Sequence, residues 1–288
     1  MKVLVVGATG LLGQDIVRVA NERGWELSTP SHEAADVTDP SRLVEVIGTA
    51  APRWVINCAA YVAVDDAEDE PDAAFALNDI GAGNVVTACE RAGCRLIHIS
   101  TDYVFGGEKK TPYSETDETR PLGVYAASKL AGEIRVLAAS RAAIVVRTAW
   151  LYGAARDNFP LKILRAALSG KDLRLVSDRI GSPTYTRDLA FALAEIVEKD
   201  IPSGIYHVVN EGEASWYDLC KEVLAAAGVA VDVQPAQNAD YPTAAERPIY
   251  SALSTAKLES AGVSPLPHWR DAARRFVIEL REKGVIPS

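Results

Sequence analysis

Short apolar runs alternate with longer stretches of helical period through the first half of the chain. Val3 to Val6, Glu26 to Ser28, Trp54 to Cys58, Leu96 to Ser100 and Ile144 to Arg147 read as five strands. Their apolar runs are nearly continuous, as expected for strands covered by helices on both faces. The segments between them carry helix punctuation. Asp39-Pro40-Ser41 opens one helix, Glu70-Pro71 sits in the first turn of another, and Gly93 lies near that helix's end. Strands joined by crossovers of that length predict repeated βαβ units, and hence a doubly wound parallel sheet of Rossmann type.

After Thr148 the pattern loosens. Phe159 to Leu168, Arg187 to Val197 and Ser215 to Ala226 read as helices, Ile205 to Val209 as a strand, and Trp269 to Glu282 as a terminal amphipathic helix. Gly106 to Gly123, with Pro112, Pro121 and unperiodic charges, predicts a surface loop before a helix that begins near Tyr125, well placed to border a site. No repeat or single linker divides the chain, so a smaller α/β substrate domain is expected to interleave with the first. The predicted dinucleotide-binding domain takes 1–147 with parts of 178–207 and 245–260; the substrate domain takes 148–177, 208–244 and 261–288.

The chemistry concentrates at strand ends. The first strand runs into Gly7-Ala8-Thr9-Gly10-Leu11-Leu12-Gly13, followed by a helical pattern from Gln14 to Arg23. Glycines here let a pyrophosphate reach the unpaired N–H groups and positive dipole end of a helix, so Gly7, Gly10 and Gly13 are cofactor candidates. The second strand ends Thr29-Pro30-Ser31-His32, without the acid that would hold the adenosine ribose of NAD; NADPH and NADH both stay open. Asp36 is expected to face the adenine region, the alternative being that it only starts the next helix.

Tyr125 and Lys129 are four residues apart, so on a helix they share a face. An ammonium beside a phenol favours the phenolate, which predicts a tyrosine lowered from about 10 toward neutrality and able to exchange a proton with a carbonyl oxygen. Thr101, at the carboxyl end of the fourth strand, faces the ligand crevice of such a sheet and is the third catalytic candidate.

Composition narrows the class. The chain has 288 residues, of which 48% are hydrophobic and 24% charged, so it can bury a full core. No apolar run approaches the ~18 residues of a membrane span, and Met1 to Gly7 has no basic-then-apolar leader; a cytoplasmic enzyme is expected. A formal charge of −9 disfavours general nucleic-acid binding, which depends on clustered cations. Cys58, Cys89, Cys94 and Cys220 lack zinc-site spacing and read as reduced and mostly buried. Arg187 and Arg247 are candidates for a nucleotide pyrophosphate, since guanidinium suits bidentate phosphate binding.

These motifs resemble the extended short-chain dehydrogenase/reductase superfamily and, within it, the dTDP-4-dehydrorhamnose reductase family. The likeness runs through Asn57-Cys58-Ala59-Ala60-Tyr61-Val62-Ala63-Val64-Asp65 with Glu68, Ser100 to Phe105, Tyr125 to Glu133, Arg147 to Gly153, Asp178 to Thr184, and Arg247-Pro248 with Ser251 and Leu253. The resemblance implies reduction of the C4 keto group of dTDP-4-keto-L-rhamnose. It assigns Gly10, Leu11, Leu12, Asp36, Val37, Ala59, Ala60, Tyr61 and Val62 to the cofactor, with Tyr125 and Lys129 at its nicotinamide ribose. Thr101, Asp102, Tyr103 and Trp150 then fall to the substrate. His32 stands where family members often carry an arginine suited to the 2′-phosphate of NADPH. Some relatives bind magnesium at a dimer interface, but no acidic cluster here matches, so no metal site is assigned, and both monomer and homodimer stay open.

Two other readings remain. A dehydratase or epimerase of the superfamily would carry Asp then Glu after the threonine, whereas Tyr103 follows Asp102 here. A non-catalytic nucleotide-binding subunit, like the regulatory subunit of methionine adenosyltransferase, would not need Thr101, Tyr125 and Lys129.

Overall fold

A computed structural model describes residues 1–287. Six parallel strands form the central sheet: β1 (Lys2–Val6), β2 (Glu26–Ser28), β3 (Trp54–Asn57), β4 (Arg95–Thr101), β5 (Ile144–Thr148) and β6 (Gly204–His207). Their spatial order is β2-β1-β3-β4-β5-β6, so the direction of winding reverses between β1 and β3. Alternate residues of each strand serve opposite faces. Val3 and Val5 pack with Ile16, Val19, Leu189, Leu193 and Ile196, from helices α1 (Leu11–Glu22) and α6 (Thr186–Lys199). Leu4 and Val6 pack with Leu43, Ile47, Val85, Val86 and Val136, from α2 (Pro40–Ala50), α3 (Gly81–Ala92) and α4 (Val124–Ala139).

A second core forms beyond the carboxyl ends of the strands' later half. It joins α5 (Phe159–Leu168), α7 (Trp216–Ala226) and α8 (Trp269–Glu282) to a parallel pair of short strands, Leu173–Val176 and Val233–Ala236. Among the described residues no helix is long and apolar enough to cross a membrane.

Local chemistry explains most boundaries. Asp39 caps α2 by accepting from the Ser41 and Arg42 backbones, and Gly93 ends α3 in the left-handed region at φ 67°. Ser215 caps α7 in a reciprocal box with Asp218. Two expectations shift. Helix α1 begins at Leu11 rather than Gln14, because Gly13 lies inside it. The helix expected from Glu70-Pro71 to Gly93 is interrupted by a π turn at Ala76–Ile80, which brings Asn78 inward.

Candidate active site

The carboxyl ends of β1 to β5 open onto one cleft of about 1020 Å³. It spans the edge where the strand order reverses, the ligand position of a doubly wound sheet. At one end lies the glycine turn. Gly7 is left-handed at φ 76°, and a Cβ there would stand 2.9 Å from the Ala59 nitrogen. A Cβ on Gly13 would stand 2.2 Å from the Gly7 carbonyl oxygen, so only glycine lets α1 start this close to β1. No side chain caps the first turn of α1. Its free N–H groups and dipole end therefore face a cleft lined by Gly10, Leu11, Leu12 and Gly13, a cradle that fits a dinucleotide pyrophosphate.

Pro30, Ser31, His32 and Val37 line the cleft beyond β2, and Ala59, Ala60 and Val62 line it beyond β3. Buried Asn78 ties this wall to the catalytic helix. Its Oδ1 accepts from the Tyr61 backbone at 2.9 Å, while Nδ2 donates to the Tyr61 carbonyl at 3.1 Å and to Ser128 Oγ at 2.9 Å. Such a contact is what a π turn can provide, since the extra residue rotates one side chain out of the helical register.

Thr101, Tyr125 and Lys129 meet on the same cleft. The Thr101 side chain stands against the Tyr125 phenol and favours its ionised form, but burial outweighs this and pushes the phenol above its ordinary value. Lys129 does not lower it: Nζ donates to the Ile99 carbonyl at 2.6 Å. Burial lowers Lys129 to about 8, opposed by the charge of Glu133. The expectation of a tyrosine drawn toward neutrality is thus corrected; the phenol keeps its proton, the form a reduction needs. Asp102, beside Thr101, is buried and pushed up to about 7. Cys58 borders the same cleft, and burial pushes its thiol up to about 12, leaving it inert near neutral pH.

A family model, the RmlD substrate binding domain, matches residues 1–282. The chain belongs to that family. It is 40% identical to the dTDP-4-dehydrorhamnose reductase of Mycolicibacterium smegmatis, the match covering 100% of this chain and 89% of the relative. It is 38% identical to a Streptomyces antibioticus protein named probable dTDP-4,6-dihydroxy-2-methyloxan-3-one 4-ketoreductase, covering 95% of this chain and 94% of that one. Its fold superposes on the crystal structure of dTDP-4-dehydrorhamnose reductase from Bacillus anthracis in complex with NADP, at a TM-score of 0.93 and 36% identity, covering 96% and 99% of the two chains.

In this RmlD-family chain the far end of the cleft is aromatic. Trp150 is held at φ 47°, a sparsely populated region for a bulky residue, and stacks on Trp216 with ring centroids 4.0 Å apart and planes 3° apart. Phe159 meets Trp216 edge-on at 4.7 Å. A Cβ on Gly181 would stand 2.5 Å from the Trp150 ring, so the indole is pinned from behind.

Four expected site residues are not on the cleft wall. Asp36 turns its carboxylate onto its own turn, accepting from Thr38 N at 2.9 Å and Thr38 Oγ1 at 2.8 Å, which holds it below the usual carboxylate range. Tyr61 contributes its backbone, while its phenol donates outward to Glu70 at 2.8 Å. Arg187 pairs with Glu22 at 2.7 Å, between α6 and α1, and stacks over Phe191; this corrects its assignment to a pyrophosphate. Arg247 binds both carboxylate oxygens of Asp65, at 2.9 and 2.6 Å, so its fork is already filled. The sequence reading missed Phe159 and Trp216 as site residues. Their helices were legible, but nothing local says that the start of α5 and of α7 converge on Trp150.

Proposed function

We infer that the chain reduces the C4 keto group of a dTDP-4-keto-6-deoxysugar with NADPH or NADH, its substrate being dTDP-4-dehydro-L-rhamnose and its product dTDP-L-rhamnose. One observation carries this: a single cleft joins a glycine cradle at one end, a protonated phenol in the middle and an aromatic wall at the other end. Bound nicotinamide supplies the hydride. Gly7, Gly10, Leu11, Leu12 and Gly13 would hold its pyrophosphate, with Ala59, Ala60 and Val62 along one side. Thr101 aligns the C4 oxygen, Tyr125 gives it a proton, and Lys129 keeps a positive charge near the oxygen that becomes negative. Trp150 and Trp216 offer an apolar face to the deoxysugar.

A substrate domain of 148–177, 208–244 and 261–288, which contributes most of the second core, would position the nucleotide sugar. The enzyme would work in the cytoplasm as a monomer or homodimer. Dehydration is disfavoured because Tyr103, in place of a second carboxylate, is pushed up to about 12 by burial and is no base near neutrality. A purely binding subunit is disfavoured by the convergence of Thr101, Tyr125 and Lys129.

The test is NADPH oxidation, followed at the nicotinamide absorbance band, with a panel of dTDP-4-keto sugars. Tyr125→Phe should bind NADPH like the parent and lose about 10²- to 10⁴-fold in turnover, the usual share of general acid catalysis. Parental turnover in that variant would refute Tyr125 as the proton donor, and no oxidation with any keto sugar would favour the binding subunit.

A further inference from the structure

Asp102, which the family resemblance gives to the substrate, is placed to handle a proton instead. It is 2% exposed, and among the described residues no cation pairs with it. Hydroxyl groups face it instead: Oδ1 lies 3.1 Å from Thr101 Oγ1 and Oδ2 accepts from Ser251 Oγ at 2.6 Å, so in its acid form the carboxyl donates from Oδ1 to Thr101, whose own proton is then free to turn toward Tyr125. Thr101 in turn stands against the Tyr125 phenol, so phenol, hydroxyl and carboxyl are successive neighbours on one cleft wall.

The cations of this region are committed elsewhere. Lys129 donates to the Ile99 carbonyl, Arg247 is bound to Asp65, and Arg179 donates to the Asn238 side chain. The other ionisable neighbours are the phenols of Tyr103, on the same turn, and Tyr125, on α4; the segment carrying Ser251 adds only a hydroxyl. A carboxyl buried among hydroxyls, with no cation, is favoured as the acid. It has a proton to give at the pH where the phenol needs one.

We propose that Asp102 is the proton reservoir of Tyr125, reloading the phenol through the Thr101 hydroxyl after each reduction, with Ser251 holding the carboxyl in place. The role rests on the reductase reading above. When Tyr125 has given its proton to the C4 oxygen it is a phenolate. The Thr101 Oγ proton moves to the phenolate oxygen as the Asp102 carboxylic proton moves to Thr101 Oγ. One O–H bond breaks at Asp102, one forms at Tyr125, Thr101 ends as it began, and no electrons are transferred. Asp102, now a carboxylate, regains its proton from water admitted as the product leaves. In apo geometry such contacts are often long and tighten around substrate.

Stopped-flow NADPH oxidation with a dTDP-4-keto-6-deoxysugar separates this role from sugar orientation. Asp102→Asn starts with its phenol loaded, so the first turnover should run near the parental rate as a burst of one nicotinamide per site. Later turnovers should then be about 100-fold slower, at the low end of what acid–base transfer supplies. Ser251→Ala removes a hydroxyl that favours the carboxylate, so Asp102 keeps its proton to higher pH. The alkaline fall in kcat should move up by about one pH unit, the scale of one hydrogen bond to a charged group. NADPH binding reads the folding of both variants, and if Asp102→Asn does not fold, the Ser251→Ala profile decides.

The proposal is overturned by parental steady-state turnover in Asp102→Asn, by a first turnover slowed as much as the later ones, or by an unmoved pH limb in Ser251→Ala. A parent protein that oxidises no NADPH with any such sugar would instead remove the reductase reading itself.

Discussion

Glu133→Gln probes how the fold carries charge beneath its site. Glu133 is 1% exposed and Arg147 2% exposed. Arg147 Nε donates to the two carboxylate oxygens at 3.0 and 3.1 Å, Nη2 donates at 2.7 Å, and Ser100 Oγ donates at 2.5 Å. Glutamine has nearly the same shape and keeps one acceptor oxygen, so no cavity opens. What is lost is the charge, which strands a buried guanidinium whose Nη1 already lacks a partner. Breaking a buried pair by removing one partner costs about 3–5 kcal/mol, and the retained amide contact points to the lower end, about 3 kcal/mol. Against a total stability of roughly 5–15 kcal/mol this is a large loss. Urea unfolding followed by circular dichroism measures it as a lowered midpoint at unchanged slope. Glu133→Leu with Arg147→Met removes both charges and should recover most of the loss. The same substitution withdraws the charge that supports the Lys129 ammonium, so Lys129 should lose its proton still further below its ordinary value. A Glu133→Gln protein within about 0.5 kcal/mol of the parent, the range of ordinary surface changes, would show that the fold does not depend on this buried charge pair.

Gly13→Ala places a Cβ against backbone that cannot give way, so it should cost about 1–3 kcal/mol in thermal or urea unfolding and abolish NADPH binding by fluorescence titration. Gly48→Ala, in α2 with no atom within 4 Å of the added Cβ, should instead stabilise by about 0.5–1 kcal/mol. Trp216→Ala removes the 4.0 Å stack on Trp150 and should raise KM for the keto sugar about 3- to 10-fold, the size of an aromatic pair, with NADPH affinity unchanged; an unmoved KM would remove Trp216 from the substrate wall. Asp102, raised to about 7 in the fold against about 3.9 in an unfolded chain, binds more protons folded than unfolded between those values. Stability of the parent relative to Asp102→Asn should therefore fall as pH rises from about 4 to about 7 and level off above, and a relative rise over that window would contradict the burial cause.

What could be read along the chain was whatever neighbours in sequence decide. Strands β1, β3, β4 and β5 announce themselves as apolar runs, and the starts of α2 and α7 follow from Asp39 and Ser215, which bond to backbone only two or three residues on. Contacts across long separations were not legible. Arg247 reads as a free cation until the fold brings it to Asp65, 182 positions away, and Ser251 gains meaning only beside Asp102, 149 positions away. The π turn was hidden for a related reason. Ala76-Leu77-Asn78-Asp79-Ile80 suits an ordinary helix, and the bulge answers to tertiary demands: Asn78 must reach both Tyr61 and Ser128, and its carbonyl sits so close to α4 that a Cβ on Gly132 would stand 2.1 Å from it.

Two buried carboxyls at the end of β4 show how one edge supports opposite proton chemistry. Glu133 faces a guanidinium and accepts four donor contacts, so its carboxylate is paired inside the fold. Asp102 receives two hydroxyl contacts and no cation, and burial then favours its acid form. Carboxyls given such different partners mark a division of labour. Under the reductase reading, the Glu133–Arg147 pair belongs beneath Lys129, where Glu133 opposes the effect of burial on the ammonium. The exchangeable proton belongs beside Thr101, within one hydroxyl of the phenol that spends it.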